Sequence, residues 1–427
     1  ALGVTADDLA TLIYTSGTTG DPKGVMLTHG NIASNVTTCC ALFDLSEHDE
    51  CLSFLPLSHI FERMFGHYSM FHCGVVINYA ESVETVAADM QQWRPTLMAS
   101  VPRLYEKIYG RVLDAVRAGS AVKRHLFFWG KRVGEKVVDL RLARRELPPL
   151  LRAQFRVADR LVFSKIRART GGRLRFFISG GAPLSPDIAR FFHAAGIPIL
   201  EGYGLTETSP VIAVNTFEHQ RLGTVGLPIP GVEVKIAPDG EIVTRGPNVM
   251  IGYYNKPQAT AEALNSEKWF HTGDIGMLDP EGFLRITDRK KDIIVTAGGK
   301  NISPQPIEAL AKTSKYVSNA VMLGDRRPFP IMLIVPNFET LGAWATGEKI
   351  AFADAASLVR HPEVHAKVER EVRNALRDLA KYEMPKKLLL LPRDFSIESG
   401  ELTPKLSVKR KVVEQHHAAA IEALYAE

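Results

Sequence analysis

The chain has 427 residues, of which 45% are hydrophobic, and a net charge of +5; this length predicts at least two domains, because one hydrophobic core rarely serves so many residues. It contains no apolar run of about 18 to 20 residues, which argues against a membrane-spanning helix, and residues 1–9 lack the basic and apolar parts of an export signal. Its four cysteines match neither a disulfide framework nor a CxxC metal pair, so we expect reduced thiols and a cytoplasmic protein.

Short apolar runs that end in turns rich in glycine, serine or threonine predict buried strands leading into functional loops. These runs are Leu12–Tyr14, Leu174–Ile178 and Ile197–Leu200. They favour an α/β architecture. Between Val101 and Arg169 the pattern is helical and basic, which predicts a long helical insertion.

The second half of the chain changes character twice. From Gly223 to Ile286, strand-like stretches broken by glycine and proline predict a β-rich subdomain with tight turns. The charged cluster Asp288–Asp292 follows, and after it an α+β pattern includes amphipathic helices around Gln305–Thr313 and Val364–Lys381. We therefore predict a large α/β domain over residues 1–290 and a small α+β domain over residues 291–427.

The segment Tyr14–Met26 combines three glycines, four hydroxyl side chains and Lys23 after an apolar strand. Such a loop can wrap a polyphosphate, because glycine permits close backbone approach while N–H groups, hydroxyls and an ammonium neutralise charge. The GxxxxGK[ST] spacing of a P-loop NTPase is absent, which argues against that class. Taken alone, the composition also fits an ordinary flexible turn.

This loop and five later segments resemble, in the same order, the motifs of the adenylate-forming superfamily of acyl-CoA synthetases, luciferases and nonribosomal peptide adenylation domains. The five segments are Leu55–Arg63, Gly180–Pro183, Gly202–Glu207, Trp269–Asp274 and Asp288–Asp292. The resemblance covers essentially the whole chain. The family normally has a substantial segment before the phosphate loop, so we expect the large domain to be N-terminally incomplete and the chain to lose activity for that reason.

The resemblance implies a site for ATP and Mg²⁺. It assigns the nucleotide phosphates to Thr15, Ser16, Gly17, Thr18, Thr19, Gly20 and Lys23. It assigns the adenine pocket to Gly180, Gly181 and Ala182, with the Tyr203 ring stacked on the base and a buried core tyrosine as the alternative. It also places Gly202 and Gly204 among the ATP- and AMP-binding residues. Thr206 would contact the phosphates, and Glu207 would bind Mg²⁺, a hard cation that prefers carboxylate and phosphate oxygens.

The same resemblance implies roles beyond the phosphates. Asp274 would accept hydrogen bonds from the ribose hydroxyls and Arg289 would meet the same nucleotide, although both residue types are also common at solvated surfaces. Lys291 would be the hinge of the mobile domain, and Gly298 and Gly299 would line the tunnel for coenzyme A.

The acid that is activated follows from the finer resemblance. The segments Ser58–Arg63, Val101–Ile108 and Leu402–Pro404 look most like the long-chain fatty acyl-CoA synthetase branch. In that branch an aromatic residue gates the acyl tunnel, and Tyr105 matches it, with simple core packing as the alternative. His59 would face the carboxylate, with a core histidine as the alternative.

The resemblance thus implies a long-chain fatty acid–CoA ligase. ATP and a fatty acid would give acyl-AMP and pyrophosphate, and the acyl group would then pass to coenzyme A with release of AMP. Three alternatives stay open: adenylation of an amino or aryl acid, a luciferase-type use of the adenylate, and an inactive nucleotide-binding fragment.

One position departs from the family pattern. Long-chain relatives usually carry the adenylation lysine where this chain has Ser407, and a serine cannot supply an ammonium on a long stem. Lys405 and Lys409 would share a face with Ser407 in an extended segment. We predict Lys405, because its place after Pro404 leaves it freer to enter the site. The predicted catalytic residues are Lys405, Glu207, Thr206, Lys23 and His59.

The charge is unevenly distributed. Between Lys123 and Arg175 there are 16 lysines and arginines against four acidic residues, so this segment carries +12 and the remainder −7. It could attract anionic lipid headgroups and hold the protein peripherally at a membrane, or it could be a solvated helical face. No nucleic-acid-binding motif accompanies it, so we expect fatty acid, ATP and coenzyme A as partners and no nucleic acid.

Overall fold

The computed structural model describes residues 3–15, 22–402 and 408–426. The chain divides into two compact units. The larger consists of Ala1–Thr272 and Gly276–Ile286, and the smaller of Gly273–Ile275 and Thr287–Glu427. The α/β class expected from the sequence is confirmed, and the division between residues 290 and 291 stays a prediction.

Fourteen strands are described up to residue 289, and the last two carry residues of both units. They are β1 (Leu9–Thr15), β2 (Lys23–Thr28), β3 (Glu50–Ser53), β4 (Val76–Tyr79), β5 (Leu97–Ser100), β6 (Phe176–Ser179), β7 (Ile199–Gly204), β8 (Val211–Val214), β9 (Leu227–Pro228), β10 (Glu233–Ile236), β11 (Glu241–Arg245), β12 (Gly252–Tyr253), β13 (Phe270–Leu278) and β14 (Leu284–Arg289).

The described helices of the larger unit are α1 (His29–Phe43), α2 (Met70–His72), α3 (Val86–Trp93), α4 (Pro102–Arg117), α5 (Ala121–Leu142), α6 (Pro149–Ala158), α7 (Ser164–Arg169), α8 (Pro186–Ala194) and α9 (Pro257–Ala263). Two π-helical segments, Glu62–Ser69 and Asp159–Phe163, and one 3₁₀ turn, Thr206–Thr208, complete this set. The helical insertion predicted between Val101 and Arg169 is confirmed as α4 to α7. No helix in the described part of the chain is long and apolar enough to cross a bilayer.

The main sheet has seven strands in the order β4-β3-β5-β6-β7-β8-β9. The first five are parallel, whereas β8 pairs antiparallel with both of its neighbours. The strands expected near Leu12, Leu174 and Ile197 are present as β1, β6 and β7. Because parallel strands share a direction, the loops that leave their carboxyl ends gather along one edge of the sheet.

Both faces of this sheet are covered. Successive side chains of a strand point to opposite faces, and Phe176 and Phe177 accordingly belong to two different core clusters. Phe176 stacks on Phe43 of α1, with ring centroids 5.7 Å apart, whereas Phe177 meets Phe192 of α8. The central strands β5 and β6 are accordingly apolar except for their last residues, Ser100 and Ser179, as expected for a parallel sheet buried on both sides.

Two smaller sheets lie in the rest of this region. Strand β2 is the centre of an antiparallel sheet with β1 and β12, and the other sheet has the order β10-β11-β13-β14. The β-rich subdomain predicted from Gly223 to Ile286 is thus present. Cys39, Cys40 and Cys51 are buried, and their reduced state stays a prediction.

The smaller unit contains five further strands and six helices in its described part. They are β15 (Ile294–Val295), β16 (Asn301–Ile302), β17 (Val317–Leu323), β18 (Ile331–Pro336), β19 (Lys387–Leu390), α10 (Pro304–Ala311), α11 (Phe338–Gly347), α12 (Ala355–Arg360), α13 (Pro362–Ala375), α14 (Arg410–His416) and α15 (Ala418–Ala426).

Strand β18 pairs antiparallel with β17 and parallel with β19. Helix α13 packs its Val364, Val368 and Val372 stripe into the core over this sheet. The helix ends at Ala375, six residues before the predicted Lys381. The reason is topological: the chain must turn back to place Lys387 opposite Ile331, and buried Leu376 begins that turn.

Candidate functional site

Four of the sequence motifs follow the carboxyl ends of parallel strands. His59 comes after β3, Tyr105 after β5, Gly180 directly after β6, and Thr206 after β7. Strands β3, β5, β6 and β7 are consecutive neighbours in the sheet. The motifs are therefore gathered at one edge by topology, although they are spread over about 150 residues of sequence.

The phosphate loop is carried by the hairpin of β1 and β2, whose last paired residues are Thr15 and Lys23. The Thr15 hydroxyl donates to the Lys23 carbonyl oxygen over 3.4 Å. Five predicted phosphate ligands lie outside the described residues and stay predictions: Ser16, Gly17, Thr18, Thr19 and Gly20.

Glu207 lies in the 3₁₀ turn after β7 and is half-buried. The Tyr253 hydroxyl donates to Oε1 of Glu207 over 2.8 Å. Lys23 lies over the aromatic ring of the same tyrosine, with its Nζ 4.8 Å from the ring centroid. Two residues predicted for the phosphates and the metal, 184 positions apart, are thus brought to one aromatic side chain.

The protonation of Tyr253 supports this geometry. Burial raises the pKa of Tyr253, and the adjacent Glu207 carboxylate raises it further. The phenol therefore remains a neutral hydrogen-bond donor at physiological pH.

The donor set fits a magnesium ion that arrives with a nucleotide. Neither Glu207 Oε2 nor the Thr206 hydroxyl has a hydrogen-bond partner among the residues the structure describes. The described residues contain no group of three or more His, Cys, Asp or Glu side chains able to hold a metal by themselves. A single hard carboxylate oxygen suits Mg²⁺, because this ion keeps water and substrate phosphates as most of its ligands.

The predicted adenine residues occupy the ends of two adjacent strands. Gly180 is buried, and its N–H donates to the Ser100 carbonyl oxygen over 3.3 Å. Gly181 has φ +82°, which favours glycine, and it is exposed with Ala182. Tyr203 on β7 is 8% exposed.

The two glycines that flank Tyr203 on β7 lie close to strand β8. A Cβ on Gly204 would lie 1.8 Å from the Pro210 carbonyl oxygen, and a Cβ on Gly202 would lie 3.2 Å from a Val214 methyl group. Gly204 is therefore required by close backbone approach, whatever its role toward a base.

His59 begins the turn into the first π-helical segment. It is half-buried, and its Nδ1 accepts from the Phe61 N–H over 3.3 Å. Three residues later Glu62 is completely buried, its Oε1 accepts from the Ser53 hydroxyl over 2.5 Å, and its Oε2 has no hydrogen-bond partner among the described residues. Burial raises the pKa of Glu62 to about 7.

Tyr105, the predicted acyl gate, is fully buried in the helical side of the core. Its ring meets Phe177 and Phe192 edge-on, with centroids 5.1 and 5.9 Å away. Its hydroxyl donates to the Ile178 carbonyl oxygen over 3.3 Å. The described conformation is that of a packed core tyrosine, and the gating role stays a prediction.

In the smaller unit, two predicted nucleotide ligands are paired. Arg289 Nε lies 3.2 Å from Asp274 Oδ1, and the aspartate is 4% exposed. The neighbouring Asp288 accepts from its own unit's Gln305 N–H, while burial raises the pKa of Asp288 to about 7. Lys291, the predicted hinge, is exposed two residues after Arg289.

The predicted coenzyme A glycines form the turn between β15 and β16. The Gly299 N–H donates to the Thr296 carbonyl oxygen over 2.8 Å, and Gly299 has φ +73°. Gly298 and Gly299 are both exposed, and no atom lies within 4 Å of a Cβ built on Gly299. This turn offers backbone groups without side-chain obstruction.

Lys405 and Ser407 lie outside the described residues, so the choice of adenylation lysine stays a prediction. Lys409, the alternative, is half-buried at the start of α14, and its N–H donates to the Glu401 carbonyl oxygen over 2.7 Å. A bridge joins Leu402 to Val408. The backbone on either side of residues 403–407 is therefore held together.

Glu401 lies on one side of residues 403–407 and is held by several hydrogen bonds. It is completely buried. Its carboxylate accepts hydrogen bonds from both terminal nitrogens of Arg393, at 2.8 and 2.9 Å, and lies 3.0 Å from Nδ1 of His416. Hydrogen bonds from Arg393, His416 and Ser399 outweigh burial and lower the pKa of Glu401 to about 2. The carboxylate is thus charged throughout the physiological range.

Sequence reasoning missed three residues of this region: Tyr253, Glu62 and Glu201. Burial raises the pKa of Glu201, which lies on β7 just before Gly202, to about 8. Glu62 lies inside one of the recognised motifs and Glu201 directly precedes another. A glutamate within an apolar run was therefore the sequence signal that could have identified both residues. Tyr253 stands in no such motif.

Comparison with known families agrees with this geometry. The model of the AMP-binding enzyme family matches residues 2–254, and that of the AMP-binding enzyme C-terminal domain matches residues 291–427. The chain belongs to the AMP-binding enzyme family. The predicted adenylate-forming resemblance, with its fatty acyl-CoA synthetase branch, is confirmed.

Curated relatives of this AMP-binding enzyme include the long-chain-fatty-acid–CoA ligase FadD15 of Mycobacterium tuberculosis, which is 40% identical over 98% of this chain and 69% of the relative. The peroxisomal long chain acyl-CoA synthetase 7 of Arabidopsis thaliana is 37% identical over 99% of this chain and 61% of the relative. Among solved structures, ATP-bound MatB from Rhodopseudomonas palustris superposes with a TM-score of 0.67 at 25% identity, covering 97% of this chain and 69% of that one.

Proposed function

We propose that this AMP-binding enzyme is a long-chain fatty acid–CoA ligase that uses ATP, Mg²⁺ and coenzyme A. The observation that carries the proposal is the 40% identity with a long-chain-fatty-acid–CoA ligase over 98% of the chain. The placement of Lys23 and Glu207 on one tyrosine supports it, because a polyphosphate with its metal needs an ammonium and a carboxylate close together.

The first half-reaction joins the fatty acid to AMP. A carboxylate oxygen attacks the α-phosphorus of ATP, the bond to the β-phosphate oxygen breaks, and pyrophosphate leaves. Lys23 and the Thr206 hydroxyl would bind the phosphates, and Glu207 would hold Mg²⁺. When bound, Mg²⁺ neutralises charge that develops on the phosphate oxygens.

The second half-reaction makes the thioester. The thiol of coenzyme A loses its proton to solvent, the sulfur attacks the acyl carbonyl carbon, and AMP leaves. The protein contributes little covalent chemistry to either step. Catalysis would come from placing carboxylate and phosphate in line and from fixed charges around them.

ATP–pyrophosphate exchange across a panel of fatty, aromatic and amino acids tests the function, with mass spectrometry of acyl-CoA as a second readout. We expect exchange and thioester with long-chain fatty acids. Exchange only with amino or aryl acids would overturn the substrate class, exchange without thioester would favour a luciferase-type use, and no exchange would identify an inactive nucleotide-binding fragment.

We also propose peripheral binding to anionic membranes through α5. A cavity of about 310 Å³ on this helix is lined by Arg124, His125, Phe128 and Arg132. Val122, two residues before Arg124 on the same helix, is 76% exposed. Cationic side chains beside exposed apolar ones suit a lipid interface.

Vesicle sedimentation tests this second proposal. We expect binding to vesicles with anionic lipid, reduced binding to neutral vesicles, and several-fold weaker binding after Arg124→Glu. Arg285→Glu, at an exposed position on β14, is the charge-matched control. Equal binding by both variants would assign the basic segment to a solvated face.

A further inference from the structure

Tyr253 occupies the space between two oppositely charged groups. Its side chain is almost fully buried, with 7% of the residue exposed. Its hydroxyl binds the Glu207 carboxylate at 2.8 Å, and the face of its ring lies 4.8 Å from the Lys23 ammonium. One residue therefore contacts both the predicted metal ligand and the predicted phosphate ligand.

The backbone fixes this position from several sides. We call residues 247–254 the strap. The strap pairs with β2 through β12, where Tyr253 lies opposite Val25, and its Met250 N–H donates to the Glu207 carbonyl oxygen over 2.8 Å.

Side chains on both ends hold the strap as well. Asn31 of α1 donates to the carbonyl oxygens of Pro247 and Val249, at 2.7 and 2.9 Å. The Tyr253 N–H donates to the Thr260 hydroxyl over 2.9 Å. The strap thus joins the strand that begins at Lys23 to the turn that carries Glu207, and Tyr253 is its contact with both side chains.

Lys23 and Glu207 carry opposite charges and are both half-buried. Such a pair attracts more strongly than it would in bulk water, so the two side chains could pair with each other. Among the described residues, no ion pair joins Lys23 to Glu207; the ammonium instead lies on the ring and the carboxylate accepts the phenol proton. A direct ion pair would neutralise the two charges that a metal-bound polyphosphate needs.

We propose that Tyr253 is a positioning residue that keeps Lys23 and Glu207 apart and oriented to receive a nucleoside triphosphate with its divalent cation. This inference rests on the proposed function. The hydroxyl would fix one carboxylate oxygen and leave the other available to bind the metal, and the ring would hold the ammonium available for the phosphates.

Two substitutions separate these two contributions. Tyr253→Phe keeps the ring and removes the hydroxyl, whereas Tyr253→Leu removes both. Tyr254→Phe is the matched control, because Tyr254 is 45% exposed and its backbone N–H, which the substitution keeps, donates to the Gly24 carbonyl oxygen of β2. The measurements are calorimetric binding of ATP with and without Mg²⁺, and kcat and KM of pyrophosphate exchange at graded Mg²⁺ concentrations.

For Tyr253→Phe we expect ATP affinity without Mg²⁺ within about twofold of wild type, the enhancement of ATP binding by Mg²⁺ reduced about threefold, and a fall in kcat larger than the change in KM for ATP. Tyr253→Leu should in addition weaken ATP binding without Mg²⁺ several-fold. Tyr254→Phe should resemble wild type.

A double substitution distinguishes positioning from a general loss of structure. In the Glu207→Gln background, Tyr253→Phe should add nothing further to the loss of Mg²⁺ enhancement, because the carboxylate that it positions is already gone. Independent, multiplicative effects would overturn the proposal, as would an unchanged Mg²⁺ enhancement in Tyr253→Phe or no ATP binding by the wild type. Mg²⁺-enhanced ATP binding without exchange on any acid would instead overturn the proposed function while leaving the binding test of Tyr253 valid.

Discussion

Glu207 is the residue on which the proposed adenylation chemistry depends most directly. Glu207→Gln keeps the shape of the side chain and an acceptor for Tyr253, but it removes the charge. We expect acyl-AMP formation to fall by about 100-fold while ATP binding weakens by less than about tenfold, because the carboxylate contributes mainly while charge is redistributed on the phosphates. Single-turnover acyl-AMP formation and calorimetry measure the two quantities; unchanged acyl-AMP formation would remove Glu207 from the mechanism.

Glu62 should make the stability of the protein depend on pH. Its pKa is about 7 in the folded chain against 4.5 for an ordinary glutamate, so the folded state keeps a proton that the unfolded state has lost. Stability therefore falls as pH rises from about 4.5 to 7. The loss is roughly 3 kcal/mol, since one pH unit of difference corresponds to about 1.4 kcal/mol.

The Glu62→Gln variant tests this dependence. Calorimetric Tm between pH 5 and pH 8 should fall less steeply for Glu62→Gln than for wild type, even though the buried amide costs about 1 to 3 kcal/mol at pH 5. Glu47→Gln, at an exposed position, is the control and should follow the wild-type curve. Parallel curves for all three proteins would show that Glu62 does not carry the effect.

At the scale of single residues, the sequence allowed prediction of those candidate site residues that lie in contiguous motifs. Thr206 and Glu207 are neighbours in a segment that resembles a family motif, and that resemblance is what predicts their phosphate and metal roles. Tyr253 could not be found in this way, because its importance depends on contacts with Glu207, 46 positions away, and with Lys23 on another strand. A tyrosine in a short strand carries no local mark of such contacts.

At the scale of elements, the segment from Glu401 to Lys409 contains both candidates for the adenylation lysine. Its flanks are held by the Leu402–Val408 bridge and by the buried Glu401. We expect Lys405→Ala to reduce acyl-AMP formation by orders of magnitude while leaving thioester formation from supplied acyl-AMP nearly intact. Rapid-quench assays of the two half-reactions measure this.

Lys409→Ala is the matched variant on the other side of Ser407. If it showed the selective loss and Lys405→Ala did not, the assignment would be reversed. If neither variant showed it, this segment would have no part in adenylation.

Elements were predictable where local signals were strong. Apolar runs before Gly-rich turns gave β1, β6 and β7, and basic helical periodicity gave α4 to α7. The order of β4-β3-β5-β6-β7 could not be obtained, because it is decided by pairing between segments up to about 75 residues apart. Helix α13 was predicted too long because Leu376 and Leu379 continue the helical spacing while the chain turns toward β19.

At the scale of the whole molecule, a hinge between the two domains would couple acyl-AMP formation to thioester formation. The family resemblance makes Lys291 a hinge, and a hinge residue must absorb a large change in φ and ψ. Lys291→Pro fixes φ near −65°, so it should trap one state and slow one half-reaction far more than the other. Separate assays of acyl-AMP formation and thioester formation measure this.

Lys291→Ala is the control, since it removes the side chain without fixing the backbone. We expect it to leave the ratio of the two rates close to the wild-type value. Equal slowing of both half-reactions by proline would contradict hinge trapping.

The strap has a consequence for the synthesis of the protein. Its hydrogen bond from the Asn31 side chain to the Pro247 carbonyl oxygen joins residues that are 216 positions apart in the chain. At translation rates of about 5 to 20 residues per second, roughly 10 to 45 s separate their emergence from the ribosome. During that interval the hairpin of β1 and β2 is complete, yet its third strand does not exist and the β2 edge is unpaired. A nascent chain is therefore most exposed to wrong strand pairing before residue 253 appears, and chaperone binding should be concentrated in that window.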